Sequence, residues 1–258
     1  MNLKEKFFDL FGLYIEKKTS DEQVKKIFKY ILPKKINLEL IRLGEDGDGG
    51  YLLPNDLVNI DKCYSAGVGL LTKFEKDLKD KFFINSNMLD FNNIDKNILP
   101  NESKFIRKKL SLKNTNEEIS INSWIEKSDK EIILKIDIEG DEYSVLSNIS
   151  EENLNKIRIL VIELHGLRNL RNKSFLDMFE KIFSRINMYF YSVHLHINNI
   201  SKVKKINKLK VPDMIEVTLI RKDRIKSFSN EFSKLPHILD QKTVIDKDEI
   251  LLDPNWYF

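Results

Sequence analysis

The sequence predicts an α/β fold, a mostly parallel sheet of seven strands with helices on both faces. Three observations predict it. From Leu38 onward, short β-rich runs alternate with helical ones, as in a parallel sheet covered on both sides. A glycine turn, Ser65-Ala66-Gly67-Val68-Gly69, joins an apolar run to a helical one, the junction at which open α/β sheets let a ligand approach the backbone. A later apolar run ends in a block of carboxylates, Asp137-Ile138-Glu139-Gly140-Asp141-Glu142, where a strand would reach the carboxyl edge of such a sheet.

The elements follow in chain order. Residues 1–18 carry Leu3, Phe7, Leu10, Phe11 and Tyr14 at helical spacing, which predicts an amphipathic helix that packs on its own domain or on a dimer partner. Lys4, Glu5, Lys6 and Asp9 interrupt its apolar run, so it is not a secretory signal. A second helix runs from an N-cap at Ser20, through Asp21 and Glu22, to about Leu32, where Pro33 stops it. Strands are predicted over 62–66, 81–85, 104–107, 132–138, 159–164, 189–196 and 215–220, and helices over 73–78, 121–127, 142–149 and 175–185. The segment 222–258 has two prolines, Pro236 and Pro254, and few apolar repeats. The expected organisation is thus a helical prefix over 1–35, a catalytic domain over 36–221 and an extension over 222–258 laid across that domain.

Composition narrows the class. With 258 residues and 41% hydrophobic content the chain can bury one sizeable core. Its 43 basic residues nearly cancel 40 acidic ones, so no whole-molecule attraction to nucleic acid is expected, and aromatics are not interleaved with a basic stripe. Cys63 is alone and cannot form an internal disulfide. No stretch of about 18 apolar residues is available to span a bilayer. A cytoplasmic protein is the expectation.

Two motifs carry chemistry. The two-glycine turn lacks the third glycine of the dinucleotide fingerprint, which argues against NAD. In Leu134-Lys135-Ile136-Asp137-Ile138-Glu139, alternation along a strand puts Asp137 and Glu139 on one face at the carboxyl edge. Asp141 and Glu142 have a plainer reading, as acidic residues favoured at the start of the following helix. Asp137, inside the apolar run, does not.

The stretch 135–146, KIDIEGDEYSVL, resembles the signature of FkbM-family methyltransferases. The resemblance extends to Arg42-Leu43-Gly44, to Asp48-Gly49-Gly50-Tyr51, to 65–75, to VIELHGL at 161–167 and to HLHINN at 194–199, and so covers most of 40–258. It implies a class I, Rossmann-like methyltransferase fold with S-adenosylmethionine (SAM) over the glycine turn and an acceptor hydroxyl facing the residues after the fourth strand. Cofactor contacts are then expected from Asp48, Gly50, Tyr51, Ser65, Gly67, Gly69, Glu75 and Ser86. Where many such enzymes carry a ribose-binding carboxylate at the end of the second strand, this chain reads Asn85-Ser86-Asn87. Either Ser86 or Asn87 takes that role, or Asp90 reaches back into it. The loop Glu45-Asp46-Gly47-Asp48-Gly49-Gly50 is no helix-loop-helix calcium site, since Leu57 stands where the twelfth-position Glu belongs.

Of four histidines, His165 ends the fifth strand, and His194 and His196 stand two apart on a later one, sharing a face. In class I topology the fourth and fifth strands are adjacent, so His165 should neighbour Asp137. Methyl transfer to an alcohol needs a deprotonated oxygen, supplied either by a base, Asp137 or His165, or by a divalent ion held by Asp137, His165 and one of His194 or His196. Manganese suits such an imidazole-containing set better than magnesium. Glu139, with Asn198, is expected to hold the acceptor's other hydroxyls.

The resemblance implies a sugar acceptor, as a nucleotide-linked precursor of a surface (capsule) polysaccharide. Lys202, Lys204, Lys205, Lys208 and Lys210 either face its diphosphate or are solvated loop surface. Two other readings are another nucleotide or sugar-nucleotide enzyme on the same α/β plan and a noncatalytic module that keeps the fold for binding.

Overall fold

The computed structural model describes residues 17–126 and 130–256. The helix expected over 1–18, and any dimer contact through it, lie almost wholly outside the described residues. The second predicted helix is present as α1 (Asp21–Phe28), closed by a capping box between Ser20 and Gln23. It ends four residues earlier than predicted.

The central sheet has seven strands: β1 (Lys62–Ala66), β2 (Asn85–Asp90), β3 (Lys104–Arg107), β4 (Ile132–Ile136), β5 (Ile157–His165), β6 (Phe190–His196) and β7 (Met214–Arg221). Their spatial order is β3-β2-β1-β4-β5-β7-β6. The pairings β1/β2, β1/β4, β2/β3 and β4/β5 are parallel, and β7 runs antiparallel to β5 and β6. The chain winds outward from β1 to β3, then returns to lay β4 on the other side of β1. The strand order therefore reverses between β1 and β4, and the crevice at their carboxyl ends is where an open α/β sheet binds its ligand.

The main departure from the sequence reading is the second strand, which occupies Asn85–Asp90 instead of 81–85. The β-rich run Phe82-Phe83-Ile84 misleads, because Phe82 lies four residues from Leu78 and continues the apolar face of α2 (Lys73–Phe82). The helix stops only at Phe83, which takes a left-handed conformation at φ 60°. That shift of register moves the end of the strand from Asn85 to Asp90.

One face of the sheet packs Leu134, Ile136, Leu160, Ile162, Val217 and Leu219 against α1, α3 (Ile121–Trp124), α4 (Glu142–Asn148) and α6 (Lys173–Tyr189), through residues such as Phe28, Val145, Phe179 and Phe183. A short helix, α5 (Glu151–Lys156), leads into β5. The other face packs Cys63, Ile133, Ile159 and Val161 against α2 and the hairpin Leu40–Gly44/Gly50–Pro54. The last segment crosses the molecule. Phe228–Phe232 pairs with Lys34–Ile36, and Trp256 is fully buried against Phe28 with its indole N–H donated to Lys210 O at 3.0 Å.

At the amino end of the parallel strands a network of ion pairs closes the sheet. Glu131, just before β4, bonds both Arg158 and Arg221, and Arg224 grips Asp56 at 2.7 and 2.9 Å. Arg158 also donates to the carbonyls of Asp56 and Val58. Every buried guanidinium there has a counterion.

Candidate active site

The turn after β1 has two glycines with different tasks. Gly67 has φ +73°, and a Cβ on it would lie 1.4 Å from the carbonyl oxygen of Asp137. Its bareness lets β1 and β4 come together, with Asp137 N–H donating to Ala66 O at 3.1 Å. Gly69, at φ +58°, faces open space, and a Cβ on it would meet no heavy atom within 4 Å. Its N–H donates to Asp90 Oδ2 at 3.0 Å, while Asp90 Oδ1 accepts the N–H of Asn92 at 2.7 Å. Leu70 and Phe91 stand exposed on either side.

Asp90 thus supplies the carboxylate at the end of the second strand. Ser86, expected near that position, is the second residue of β2, buried and in register with Cys63, well below the edge. Ser65 and Glu75 are likewise beneath the turn rather than beside it. The Ser65 hydroxyl donates to Glu75 Oε1 at 2.5 Å, both residues are buried, and together they brace β1 against α2. Gly50 is required by its own hairpin, since a Cβ there would fall 2.2 Å from Arg42 Nη2. Asp48 is exposed at the tip, accepting the N–H of Gly49. Tyr51 reaches the site differently from the expectation: its hydroxyl donates to Asp137 Oδ2 at 3.2 Å. Burial first, then the charge of Asp137, push the Tyr51 pKa well up, so it stays a donor.

Beyond the turn, Asp137, Glu163 and His165 offer ligand atoms that all lie within 4.8 Å of one another. Asp137 follows β4 and Glu163 and His165 end β5, on the face that also carries Lys135. Lys135 Nζ donates to Gly67 O at 3.2 Å, lies 4.0 Å from Asp137 Oδ2 and sits over the Tyr51 ring. Glu163 accepts from Asn198 Nδ2 at 3.2 Å. Burial, then the charges of Asp137 and of Glu216 opposite on β7, push the Glu163 pKa up to about 10, so Glu163 carries a proton toward Asp137.

His165 is oriented from behind. Its Nδ1 lies 2.9 Å from Glu142 Oε1, and Glu142, fully buried, also accepts the backbone N–H groups of Ile138 and Gly140. Burial opposes charging of this imidazole, but the hydrogen bond and charge of Glu142 outweigh it and raise the pKa above its ordinary value. Glu139 does not share a strand face with Asp137, because β4 ends at Ile136 and Glu139 sits in a left-handed turn at φ 59°. Its side chain is 86% exposed, with Oε2 3.4 Å from His165 Nε2.

His194 and His196 do not join this group. His194 Nε2 lies 2.9 Å from Asp240 Oδ1, and His196 lies between Glu216 at 3.4 Å and Glu249 at 3.1 Å. Their carboxylate partners Asp240 and Glu249 come from the last segment, where no pattern in the sequence foretells such a contact. Asn199 adds to the same anchorage, exchanging hydrogen bonds with Val244. The five lysines of 202–210 are all exposed on the hairpin Val203–Ile206/Leu209–Pro212.

Glu163, Lys135 and the bracing by Glu142 were missed in the sequence, and Asp90 was named there only as an alternative to Ser86 and Asn87. For Glu163 and Lys135 the signal was present: each is a charge inside an apolar strand, as Asp137 was, and Glu163 shares a strand face with His165 by simple alternation.

A family model described as Methyltransferase FkbM domain matches residues 53–191, just over half of the chain. This chain belongs to the FkbM methyltransferase family. The matched segment runs from the end of the 50–54 strand to the start of β6, and so contains the glycine turn, Asp90, Asp137, Glu163 and His165. It is narrower than the 40–258 over which the sequence resemblance was drawn. No curated protein matches the chain. With the family established, the seven-stranded order and its antiparallel β7 fit the α/β class I methyltransferase fold.

Proposed function

We propose that this methyltransferase moves the methyl group of SAM to a hydroxyl oxygen of a sugar, carried on a nucleotide as a precursor of surface polysaccharide, in the cytoplasm. The catalytic unit is 36–221, preceded by the prefix 1–35 and followed by the extension 222–258. The observation that carries the reading is the contact between the glycine turn and the acid: Gly67 touches the backbone of Asp137, so a ligand lying over the turn has its reactive end beside that carboxylate. The residues present fit the cofactor, since Gly69 opens a cradle that a side chain would fill and Asp90 stands where ribose hydroxyls can be bound. Leu70 and Phe91 offer an apolar margin for a purine.

When bound, SAM supplies an electrophilic methyl carbon on a sulfonium leaving group, so that an O–C bond forms as the S–C bond breaks and the acceptor's proton departs. Asp137 is the group placed to take that proton, either alone or together with a divalent ion. Tyr51 and Lys135 hold the Asp137 carboxylate in place from one side, and Glu163 borders it on the other. Glu139 is free to bind a second acceptor hydroxyl, and Asn198, bonded to Glu163, lines the same edge. A sugar suits this arrangement, because several polar groups converge where a hydrophobic acceptor would leave them unpaired.

Calorimetric titration of the full chain with SAM, and separately with NAD, tests the cofactor. Saturable heat with SAM and none with NAD is expected. Release of S-adenosylhomocysteine on addition of nucleotide sugars then tests the acceptor, and release only with non-sugar alcohols would replace it.

A further inference from the structure

The geometry points to a divalent-cation site formed by Asp137, Glu163 and His165, with the exposed Glu139 as a fourth donor. It rests on the methyl-transfer reading and names the device that activates the acceptor oxygen there.

Three donors of two chemical kinds meet within 4.8 Å. A hard divalent ion with ligands at about 2.1 Å holds them about 3 to 4 Å apart, a separation that small side-chain rotations reach. Carboxylates with one imidazole suit manganese and related ions. A set of nearby acids alone would carry little weight, but a second feature lies outside the trio. Metal-bound histidines present one ring nitrogen and give the other to a carboxylate behind. His165 is held in that way: Nδ1 is taken by Glu142 Oε1 at 2.9 Å, which leaves Nε2 as the nitrogen available to the site.

Glu142 itself is 0% exposed, and its second oxygen, Oε2, is buried without a hydrogen-bond partner. Glu163 is 7% exposed and makes no ion pair with a Lys, Arg or His among the described residues. The buried Lys135 lies 4.0 Å from Asp137 and gives its hydrogen bond to Gly67 O. Among the described residues Glu163 thus has no protein cation beside it, and Asp137 has one that does not hydrogen-bond it, so an ion bound between them would pair both carboxyl groups. Glu139 stands on the Nε2 side of His165, 3.4 Å away and 86% exposed, where it can turn onto an ion without rearranging the core. An acceptor hydroxyl completing the ion's shell loses its proton to solvent more easily and is held in line with the methyl carbon.

The test uses the purified full chain treated with chelator and titrated with Mn²⁺ alone, followed by electron paramagnetic resonance of the free ion, in parallel with calorimetric titration by SAM. One equivalent of saturable Mn²⁺ is expected. Glu163→Gln and His165→Ala should abolish it, and Glu142→Gln should weaken it by about 10- to 100-fold. Far-UV dichroism identifies any variant that fails to fold, and the nearly isosteric Glu163→Gln carries the decision if His165→Ala does. No saturable Mn²⁺ in a chain that binds SAM would overturn the ion site and leave the methyl-transfer reading intact. Saturable Mn²⁺ with no SAM binding would instead remove that reading and keep the site. Binding that survives unchanged in folded Glu163→Gln would refute the assigned ligands.

Discussion

The two ends of the central sheet are built from the same kinds of side chain with opposite balances. At the amino end, Arg158, Arg221 and Arg224 meet Glu131, Asp56 and Asp223, and each guanidinium finds a carboxylate. At the carboxyl end, Asp137, Glu163 and Glu142 gather around Lys135, which gives its hydrogen bond to Gly67 O, and His165, which keeps Nε2 toward the site. A charge network that closes on itself stabilises a fold and asks nothing of a ligand. One that is left open is poised to bind, because the missing partner supplies the interaction energy.

Substitutions at the two ends should therefore separate activity from stability. The largest effect is expected for Asp137→Asn, which removes the charge at the open end. Turnover should fall by about 10² to 10⁴, the usual span for loss of a general base, while the melting temperature and SAM affinity change little. Retention of half the wild-type rate would take Asp137 out of the chemistry.

At the closed end, Glu131→Gln should do the reverse. It strips the nearer counterion from Arg158, whose side chain is 3% exposed and which keeps Asp56 at 3.7 Å, and part of that from Arg221. A loss of up to about 3 kcal/mol is expected from the weakened pairing of the buried charge, softened by the Asp56 carboxylate and by the carbonyls of Asp56 and Val58 that Arg158 keeps. Denaturant unfolding measures it, and SAM affinity of the folded fraction should be unchanged.

The glycine turn refines the contrast at the level of single atoms. Gly67→Leu does not test the expected cofactor contact at Gly67, since any Cβ there meets the Asp137 backbone and parts β1 from β4. Misfolding is expected even for Gly67→Ala. Gly69→Leu faces open space and should cost only about 1 to 2 kcal/mol for its left-handed backbone. It should nevertheless remove SAM binding in calorimetry, and native affinity in a folded Gly69→Leu would move the cofactor elsewhere.

The same two glycines show what could be read in the sequence. Alternating β-rich and helical runs were enough for the sheet, and β1 and β3 fell on the predicted residues, because local pattern decides which segments are strands. Asp137 and His165 stood out since a charge at the end of an apolar strand is conspicuous, and strand adjacency brought them together. Pattern could not tell which glycine carries the packing and which the opening, because that depends on how closely two distant strands approach. It also put the second strand several residues early, where three β-prone residues outweighed helical spacing, and so left Ser86, Asn87 and Asp90 as alternatives where the strand's end falls at Asp90. His194 and His196 were misassigned for a long-range reason: Asp240 and Glu249 reach them from a segment with no periodic signal.

Those histidines give the smallest effect on activity and a further check on the comparison, since they stand at the same carboxyl edge in a charged cluster that is closed. Three carboxylates face His196: Glu216 on β7, and Glu249 and Asp240 from the last segment. Burial works against its protonation, yet the hydrogen bond and charge of Glu216 prevail and lift its pKa from the ordinary 6.5 to about 9. A group whose pKa is raised by folding contributes stability that is complete below its unfolded pKa and is lost as pH climbs through the folded one. Stability should therefore decline from about pH 6.5 to pH 9, by up to about 3 kcal/mol, as His196 gives up its proton. Hydrogen exchange should show the loss first at 237–249, the stretch that Asp240 and Glu249 fasten, before the core strands open. Glu216→Gln should flatten that decline because it removes the principal cause of the raised pKa, while Mn²⁺ binding at Asp137, Glu163 and His165 persists. A decline of equal size in Glu216→Gln would mean that another group governs it and that the last segment is not held down by His196.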